Sequence, residues 1–399
     1  MTIQAERTAG TPAQAPGDAP AGVALAQALA REFRPHVLER ERRGDPPYEE
    51  LARIRETGLV NLHIPVAYGG GGGNWRQLAR VVVELSRADP NIGGLLAYHY
   101  HNFIAPFWDP YFDAADIQRK SAANRWLWGH ITGPVGAFKA VPQPDGGFVV
   151  SGTKPQNTGP ATGDVTVLLA QRTDRREAVY AYVPTDRKGI VYHGGWDHLG
   201  LRRTATQPIT FDGVVVHPDE VLPNTTGRPI KSMPRFYYAT GSLAFGAIYV
   251  GAAWGALETA RALLRSQQKT TGTAADPRVL AVLGELVGKA TALLDLQDEA
   301  ARRLDQAYAR RRTLTDDEHD AVGMHAEAFR GLAARGGIEI GNRVYDALGP
   351  AGADRAAGLD RYWRDVRIHS LHPPSYPQSD ILLGDWAVNG QPVRLVLPL

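Results

Sequence analysis

Apolar residues recur at helical spacing in the first third of the chain and again from about residue 236 onward. The three amphipathic helices predicted in the first third are marked by Leu29 and Phe33, by Leu51 and Ile54, and by Leu78 and Leu85. Short alternating runs then predict strands over 147–152, 165–170, 178–183 and 208–216. Long helical patterns return over 236–264, 279–308 and 317–348, and a shorter one ends near residue 372.

The order of these patterns predicts an α+β protein built from three units. We expect an N-terminal helical domain over 23–126, a β-barrel or sandwich domain over 127–228, and a C-terminal four-helix bundle over 229–399. Residues 1–22 are rich in Ala, Pro, Gly and Thr and lack the apolar run of a secretion signal. We therefore expect these residues to form a disordered tail.

Charge and composition exclude several classes of function. The formal net charge is +2, so the charge points neither to nucleic acid nor to an acidic membrane surface. The sequence contains no cysteine, which excludes disulfides, thiolate metal sites and a cysteine nucleophile. No uninterrupted apolar stretch is long enough to span a bilayer. These features predict a cytoplasmic protein with no nucleic-acid partner and no membrane partner.

The last predicted helix, over 361–374, carries a pair of histidines near its end. His369 and His372 are three residues apart, so both rings should leave the same face of the helix. Two imidazoles with no third ligand nearby indicate proton transfer rather than metal binding, because histidine titrates near neutral pH. The alternative is a helix-end pair that interacts with the terminal carbonyl groups.

Five segments resemble motifs of the acyl-CoA dehydrogenase superfamily, whose domain order is also helices, strands, helices. They are 64–70 (IPVAYGG), 128–134 (WGHITGP), 151–158 (SGTKPQNT), 198–204 (HLGLRRT) and 362–367 (YWRDVR). The resemblance covers residues 23–396 and implies a flavin site. A dehydrogenase of this kind also needs a carboxylate that removes the α-proton of a thioester. Pro373 stands at the superfamily's usual position for it, and residues 233–257, which span the other position, contain no Asp or Glu.

Segment 364–373 (RDVRIHSLHP) instead resembles the flavin-dependent monooxygenase branch of the superfamily, typified by dibenzothiophene monooxygenase. This resemblance implies an oxygenase that receives reduced flavin from a separate flavin reductase and binds O2. The flavin would be FMN, with FAD as the alternative. A C4a-(hydro)peroxide of the flavin would then oxygenate sulfur, nitrogen or an aromatic carbon of a small-molecule substrate. The resemblance also implies a homotetramer.

The resemblance assigns roles to individual residues. The catalytic candidates are His369, His372, Thr158, Tyr98 and His99. The candidates for cofactor binding are Thr132, Gly133, Asn157, Thr158, Arg265, Lys269, Arg343 and His372. The candidates for the substrate pocket are Tyr98, His101, Asn102, Phe103 and Phe236. No residue is assigned to a metal.

Two alternative functions stay open at this point. The first is a dehydrogenase or oxidase on the same scaffold with a relocated base. The second is a catalytically silent flavin-binding scaffold, which is favoured by the sequence of segment 265–271 (RSQQKTT). The branch carries several arginines there for the flavin phosphate, whereas this chain keeps Arg265, replaces a charge at Gln267 and offers Lys269. A lysine binds phosphate as a point charge without the bidentate geometry of arginine.

Overall fold

The computed structural model describes residues 19–104, 114–131, 136–222, 235–274, 276–311 and 313–390. The helices that precede the sheet are α1 Ala19–Arg43, α2 Tyr48–Glu56, α3 Trp75–Ala88, α4 Pro90–Ile104 and α5 Ala115–Asn124. Helix α3 begins at a reciprocal cap, in which the Asn74 side chain accepts from the Gln77 backbone and the Gln77 side chain accepts from the Asn74 backbone. The predicted tail lies outside the described residues, except for its last four residues, which belong to α1.

The sheet has seven strands in the order β1-β4-β2-β3-β7-β6, and β5 pairs with β4. The strands are β1 Trp128–Ile131, β2 Phe138–Pro142, β3 Phe148–Asn157, β4 Val165–Arg172, β5 Ala178–Pro184, β6 Ile190–Tyr192 and β7 Gln207–Val216. The four predicted strands correspond to β3, β4, β5 and β7. The register between β3 and β7 shifts between Lys154 and Asn157. Such an irregularity re-aims the side chains of the strand that carries it.

Five helices follow the sheet. They are α6 Arg235–Thr271, α7 Pro277–Ala309, α8 Asp316–Leu348, α9 Asp360–His369 and α10 Tyr376–Asn389. Helix α6 packs most extensively against α8 and also against α3, α4 and α7. The structure thus confirms the predicted fold of a helical part, a central curled sheet and a C-terminal helical part. Helix α10 is an element that the sequence patterns did not predict.

Helix α6 is the apolar centre of the molecule. Its segment Tyr238–Thr271 is long and apolar enough to cross a membrane by length and composition, although the sequence has no uninterrupted apolar run of that length. Inside the protein, 94% of its most apolar window is buried. Burial among the surrounding helices therefore accounts for this composition.

The loop between β6 and β7 is fixed against α9. Gly200 lies so close to α9 that an added Cβ would stand 2.4 Å from the carbonyl oxygen of Arg364. The Asp365 side chain accepts a hydrogen bond of 2.6 Å from the backbone N–H of Leu201. Segments 198–204 and 362–367, which were recognised separately in the sequence, are therefore two halves of one contact that orients α9.

A buried ion cluster continues this contact toward the N-terminal helices. The guanidinium of Arg203 donates to the carboxylates of Glu50 and Asp89, both at 2.6 Å, and all three side chains are at most 2% exposed. Burial alone would raise the pKa of Glu50, but the hydrogen bonds and charges of Arg203 and Arg40 lower it. The cluster therefore joins α2, the turn between α3 and α4, and the loop between β6 and β7.

Helix α9 ends earlier than the sequence predicted. The predicted helix reaches the two prolines after His372, whereas the observed helix ends at His369. The chain continues in a tighter turn, in which the backbone N–H of His372 donates to the carbonyl oxygen of His369 at 2.9 Å. A residue that precedes proline disfavours the α conformation, which explains the early end. His372 therefore lies beyond the helix rather than on its face.

Candidate active site

Helix α4 carries side chains into two different regions, because residues three or four positions apart share a helix face. Tyr98 and His101 face α6, with ring centres 4.9 Å and 5.8 Å from that of Phe245. The Nδ1 atom of His101 lies 2.8 Å from the hydroxyl of Thr240. Burial is the main cause that lowers the pKa of His101 to about 3, and the charges of His372 and Arg330 lower it further.

The opposite side of α4 packs against the scaffold, which bears on the expectation that His99 is catalytic. The backbone N–H of Trp128 donates to His99 Nδ1 at 3.0 Å, and His99 Nε2 lies 2.7 Å from the carbonyl oxygen of Val60. Both ring nitrogens of His99 are therefore used by the backbone and are not available for catalysis. Phe103 packs its ring 5.1 Å from that of Trp128. Asn102 is buried on the same helix.

His369 is held between two tyrosines. Tyr249 donates its hydroxyl to the carbonyl oxygen of His369 at 3.1 Å and also lies 2.8 Å from His369 Nδ1. If the tyrosine proton is donated to the carbonyl, Nδ1 carries a proton and donates it to Tyr249, whereas a Tyr249 that donates to Nδ1 reverses both roles. His369 Nε2, 3.2 Å from the Tyr98 hydroxyl, takes the opposite role to Nδ1 in its hydrogen bond with Tyr98. Both nitrogens of this neutral imidazole are thus satisfied.

His372 is half-buried and differs from His369 in its hydrogen bonds. Its Nδ1 donates to the carbonyl oxygen of Pro373 at 2.9 Å, which leaves Nε2 as an acceptor with no hydrogen bond to any described residue. The two imidazole rings are nearly parallel, with centres 5.7 Å apart. The structure therefore brings the predicted histidine pair together, although only one ring offers a nitrogen atom to a ligand.

A buried arginine lies behind the histidine pair. Arg330 on α8 donates to the carbonyl oxygen of His372 at 2.7 Å and lies over the ring of Phe245. Burial and the charge of Arg330 lower the pKa of His372 to about 3, with a further contribution from Lys154. Burial, the repulsion that a proton on His372 would exert and the charge of Arg330 also lower the pKa of His369 well below its ordinary value. Both histidines are consequently neutral at pH 7.

A buried carboxylate supports Arg330. Glu327, one turn before it on α8, accepts hydrogen bonds from the hydroxyls of Ser242 and Ser379 and lies 3.9 Å from the guanidinium. Ser242 lies within the stretch of α6 that contains no acidic residue of its own. A carboxylate of α8 therefore lies next to the stretch of α6 that has no acidic residue. Each of its two oxygens already accepts a hydrogen bond.

The end of strand β3 and the residue after it form a second group of polar side chains, over residues 154–158. Lys154 and Asn157 are buried, and the Asn157 side-chain nitrogen donates to the carbonyl oxygens of Lys154 and Gln207. Its side-chain oxygen is buried without a hydrogen bond to any described residue. The charge of Lys154 also contributes to the lowered pKa of His372.

The hydroxyl of Thr158 belongs to a directed chain of hydrogen bonds. Thr204 donates its hydroxyl to the carbonyl oxygen of Leu201 at 2.9 Å, so it must accept from Thr206, 2.8 Å away. Thr206 must in turn accept from Thr158, at 2.9 Å. The proton of Thr158 is thus directed into the protein, and its oxygen lone pairs are left for a ligand that donates an N–H group.

Three predicted phosphate-binding cations do not reach this region within one chain. Arg265 and Lys269 are exposed on the distal part of α6, and Arg265 lies about 30 Å along the helix from Phe245. Arg343 forms surface ion pairs with Glu285 and neighbouring carboxylates. The predicted residues Thr132 and Gly133 and the side chain of Phe236 lie outside the described part of the structure.

Sequence reasoning missed four residues of the site. Tyr249 and Phe245 lie in an almost uniformly apolar helix, where only their spacing of four could have indicated a shared face. Arg330 was detectable as a charge on the apolar face of α8, three residues after Glu327. Lys154 lies in segment 151–158, where the sequence alone does not show that its side chain is buried.

Comparison with known proteins places this geometry in a family. The family models for the N-terminal and C-terminal domains of acyl-CoA dehydrogenase match residues 23–109 and 243–374. The probable FMNH2-dependent monooxygenase SfnC of Pseudomonas putida is 31% identical over 92% of this chain and 94% of its own length. The dibenzothiophene monooxygenase of Rhodococcus erythropolis is 30% identical over 98% of both chains.

A solved structure gives the same result. Dibenzothiophene monooxygenase TdsC from Paenibacillus sp. A11-2, in a complex with FMN and indole, has a TM-score of 0.86 and 31% identity. The alignment covers 94% of this chain and 99% of that one. The chain belongs to the acyl-CoA dehydrogenase superfamily and, within it, to the flavin-dependent monooxygenase branch.

Proposed function

We propose that this protein is the oxygenase component of a two-component flavin-dependent monooxygenase. It would take reduced FMN from a separate flavin reductase and use O2 to oxygenate a small aromatic or heteroatom-containing molecule. The observation that carries the proposal is the neutral His369–His372 pair, which lies after the YWRDVR motif, where dehydrogenases of the superfamily hold a carboxylate. Relatives named as monooxygenases support this choice.

The polar groups at the end of β3 fit a flavin. The free oxygens of Asn157 and Thr158 are acceptors for N–H groups, and the isoalloxazine ring carries an N–H at N3 and, when reduced, another at N5. Lys154 supplies positive charge in the same group. When bound, reduced flavin supplies the electrons that activate O2 for transfer of one oxygen atom.

The histidine pair and the rings around it would control proton transfer and the access of water to the flavin. His372 Nε2 is the atom that can accept a hydrogen bond from the reacting groups or take up a proton there. His369 holds the Tyr98 hydroxyl in place through the hydrogen bond between that hydroxyl and Nε2. The rings of Phe245 and Tyr98 surround the histidines with apolar surface, which excludes water that would divert oxygen to H2O2.

Glu327 is the residue on which a dehydrogenase or oxidase with a relocated base would depend. It is buried next to Ser242 of α6, close to the superfamily's second location for the base. Its hydrogen bonds from two serines and its proximity to Arg330 favour a supporting role beneath His372 instead. The oxygenase is therefore the better-supported assignment.

The decisive experiment begins without oxygen. FMN is reduced anaerobically, mixed with the protein and then exposed to air, while flavin oxidation and H2O2 release are followed by stopped-flow absorbance and a peroxide assay. An oxygenase should release H2O2 more slowly than free reduced FMN does, because the site is dry. Dibenzothiophene and indole serve as substrate probes, since TdsC is a dibenzothiophene monooxygenase with a solved complex containing indole.

Other outcomes identify the alternatives. H2O2 release as fast as that of free reduced FMN, with bleaching of oxidised flavin by an acyl-CoA thioester, would support the dehydrogenase. Failure to bind flavin in either oxidation state would support a catalytically silent protein. We further propose a cytoplasmic homotetramer in which Arg265, Lys269 and Arg343 serve the flavin of a neighbouring copy.

A further inference from the structure

Lys154 is a buried cation without a counter-ion. Its side chain is 8% exposed, and its ammonium group makes no hydrogen bond or ion pair with the residues that the structure describes. Burial lowers the pKa of Lys154 to about 7, because the charged form loses hydration. An isolated buried charge is costly, so its retention in a site calls for a ligand that compensates it.

The other buried cations of the described chain are all compensated. Arg203 contacts two carboxylates, and Arg172 pairs with Asp174 at 2.7 Å. Arg330 and Arg361 donate to backbone carbonyl oxygens at 2.7 Å and 2.8 Å. Lys154 is therefore the buried cation of the described residues that has no compensating partner, and a group that binds an anionic ligand is expected to have this property.

We infer that Lys154 is the anion-binding residue of the flavin site and that its ammonium group selects reduced, anionic flavin over oxidised, neutral flavin. This inference rests on the proposed function. Lys154 lies on the same strand as Asn157, whose buried side-chain oxygen also has no partner among the described residues. Two unsatisfied groups of opposite hydrogen-bonding character on one strand match a ring that has both an anionic edge and N–H donors.

The charge on the ring distinguishes the two oxidation states. Reduced flavin loses its N1 proton readily and spreads the negative charge over N1 and the C2 carbonyl, whereas the oxidised ring is neutral. Both forms carry the same phosphate. The ratio of their dissociation constants therefore isolates the interaction of the protein with the ring.

The direct test measures this ratio in Lys154→Met, which keeps the length of the side chain and removes its charge. Reduced and oxidised FMN are titrated under anaerobic conditions and binding is followed by fluorescence and calorimetry. We expect affinity for reduced FMN to fall at least about tenfold, in the range of a lost charged hydrogen bond. Affinity for oxidised FMN should change by less than about threefold, since only the phosphate and the neutral contacts remain in play.

Two control variants make the result specific. Lys154→Arg restores the charge and should recover preference for reduced FMN. Lys139→Met removes an exposed lysine of β2 and should leave both affinities unchanged. Thermal unfolding without flavin checks the fold, and Lys154→Met should be at least as stable as the original protein because a lone buried charge is removed.

Binding should also be linked to a proton. The titratable and charged groups around Lys154 are His372 and, behind it, His369, Arg330 and Glu327. Above pH 7, where free reduced flavin has already lost its N1 proton, most of the ligand-free protein has also lost the Lys154 proton, so the arriving anion should draw a proton from solution onto Lys154. Calorimetry in buffers with different ionisation enthalpies should show greater proton uptake by the original protein than by Lys154→Met.

Three outcomes would overturn the inference. The first is an equal loss of affinity for both oxidation states, and the second is no loss for either. The third is an unchanged flavin ratio with lost binding of a small anion such as methanesulfinate, which would assign Lys154 to an anionic substrate. Failure of the original protein to bind reduced FMN would instead refute the proposed function, which keeps the two failures distinct.

Discussion

Helix α9 connects two buried polar regions that follow opposite rules. Near its middle, Asp365 joins the cluster of Arg203, Glu50 and Asp89, in which each charged group is compensated or hydrogen-bonded. After its end lies the histidine site, where His372 lacks a partner for Nε2 among the described residues, as do groups on β3. The difference separates scaffold from site, because a buried polar group without a protein partner needs a ligand.

The scaffold region should be the most sensitive to mutation. Arg203→Met leaves Asp89 buried without its cation and leaves Glu50 paired only with Arg40, so the free energy of unfolding should fall by about 3–5 kcal/mol. Urea denaturation followed by circular dichroism measures this loss.

The matched control is Arg278→Met, whose side chain is 91% exposed and pairs with Asp276 on the surface. It should cost no more than about 1 kcal/mol, as exposed ion pairs do. Equal losses in the two variants would mean that the Arg203 cluster contributes no more than a surface pair, and the contrast between the two regions would fail.

Most of the fold could be predicted from the sequence because the periodicity of apolar residues reports burial directly. Strands β3, β4, β5 and β7 and the three long helices were found in this way. Short elements were not, since β6 spans only Ile190–Tyr192 and offers too few positions for a pattern. The end of α9 was misplaced because the prolines act on the residues before them, not only at their own positions.

Residues of the site could be predicted from the sequence only where a reactive side chain lay within a recognisable motif. The sequence led to His369, His372 and Tyr98, which the structure brings together. It could not separate His99 from His101, although they are two residues apart, because their roles depend on which element each side of α4 meets. Arg330 acts from a distant helix, and spacing along the chain does not predict such a contact.

The roles of the two histidines of the site can be tested by comparing their alanine variants. His372→Ala removes the nitrogen that has no described protein partner, so coupled product formation should fall about 100-fold while more O2 is released as H2O2. Its stability should change little. His369→Ala leaves the hydroxyls of Tyr98 and Tyr249 without their imidazole, which should cost about 1–3 kcal/mol per unsatisfied group.

Product yield, peroxide release and urea denaturation are measured on both variants. Leu371→Ala, at a position 53% exposed in the same turn, is the control and should match the original protein in all three. Unchanged coupling in His372→Ala would remove this residue from the reaction. A large loss of stability in that variant would place His372 with the scaffold instead.

The effect that depends on pH concerns Asp365, the one carboxylate of the scaffold region that lacks a direct ion pair among the described residues. Burial raises its pKa to about 7, and the charge of Asp89 contributes to the rise. Because the folded protein holds this proton more tightly than the unfolded chain, the stabilisation is complete below about pH 4 and is lost as the pH rises through 7.

Asp365→Asn should therefore remove a pH dependence that the original protein has. Between about pH 4 and pH 7 the free energy of unfolding of the original protein should fall relative to that of the variant, by at most about 1.4 kcal/mol per pH unit. Asp360→Asn, an exposed carboxylate on the same helix, should give a curve parallel to that of the original protein. Parallel curves for Asp365→Asn as well would show that Asp365 is ionised throughout this range, and that the scaffold region tolerates a third buried carboxylate charge beside a single buried arginine.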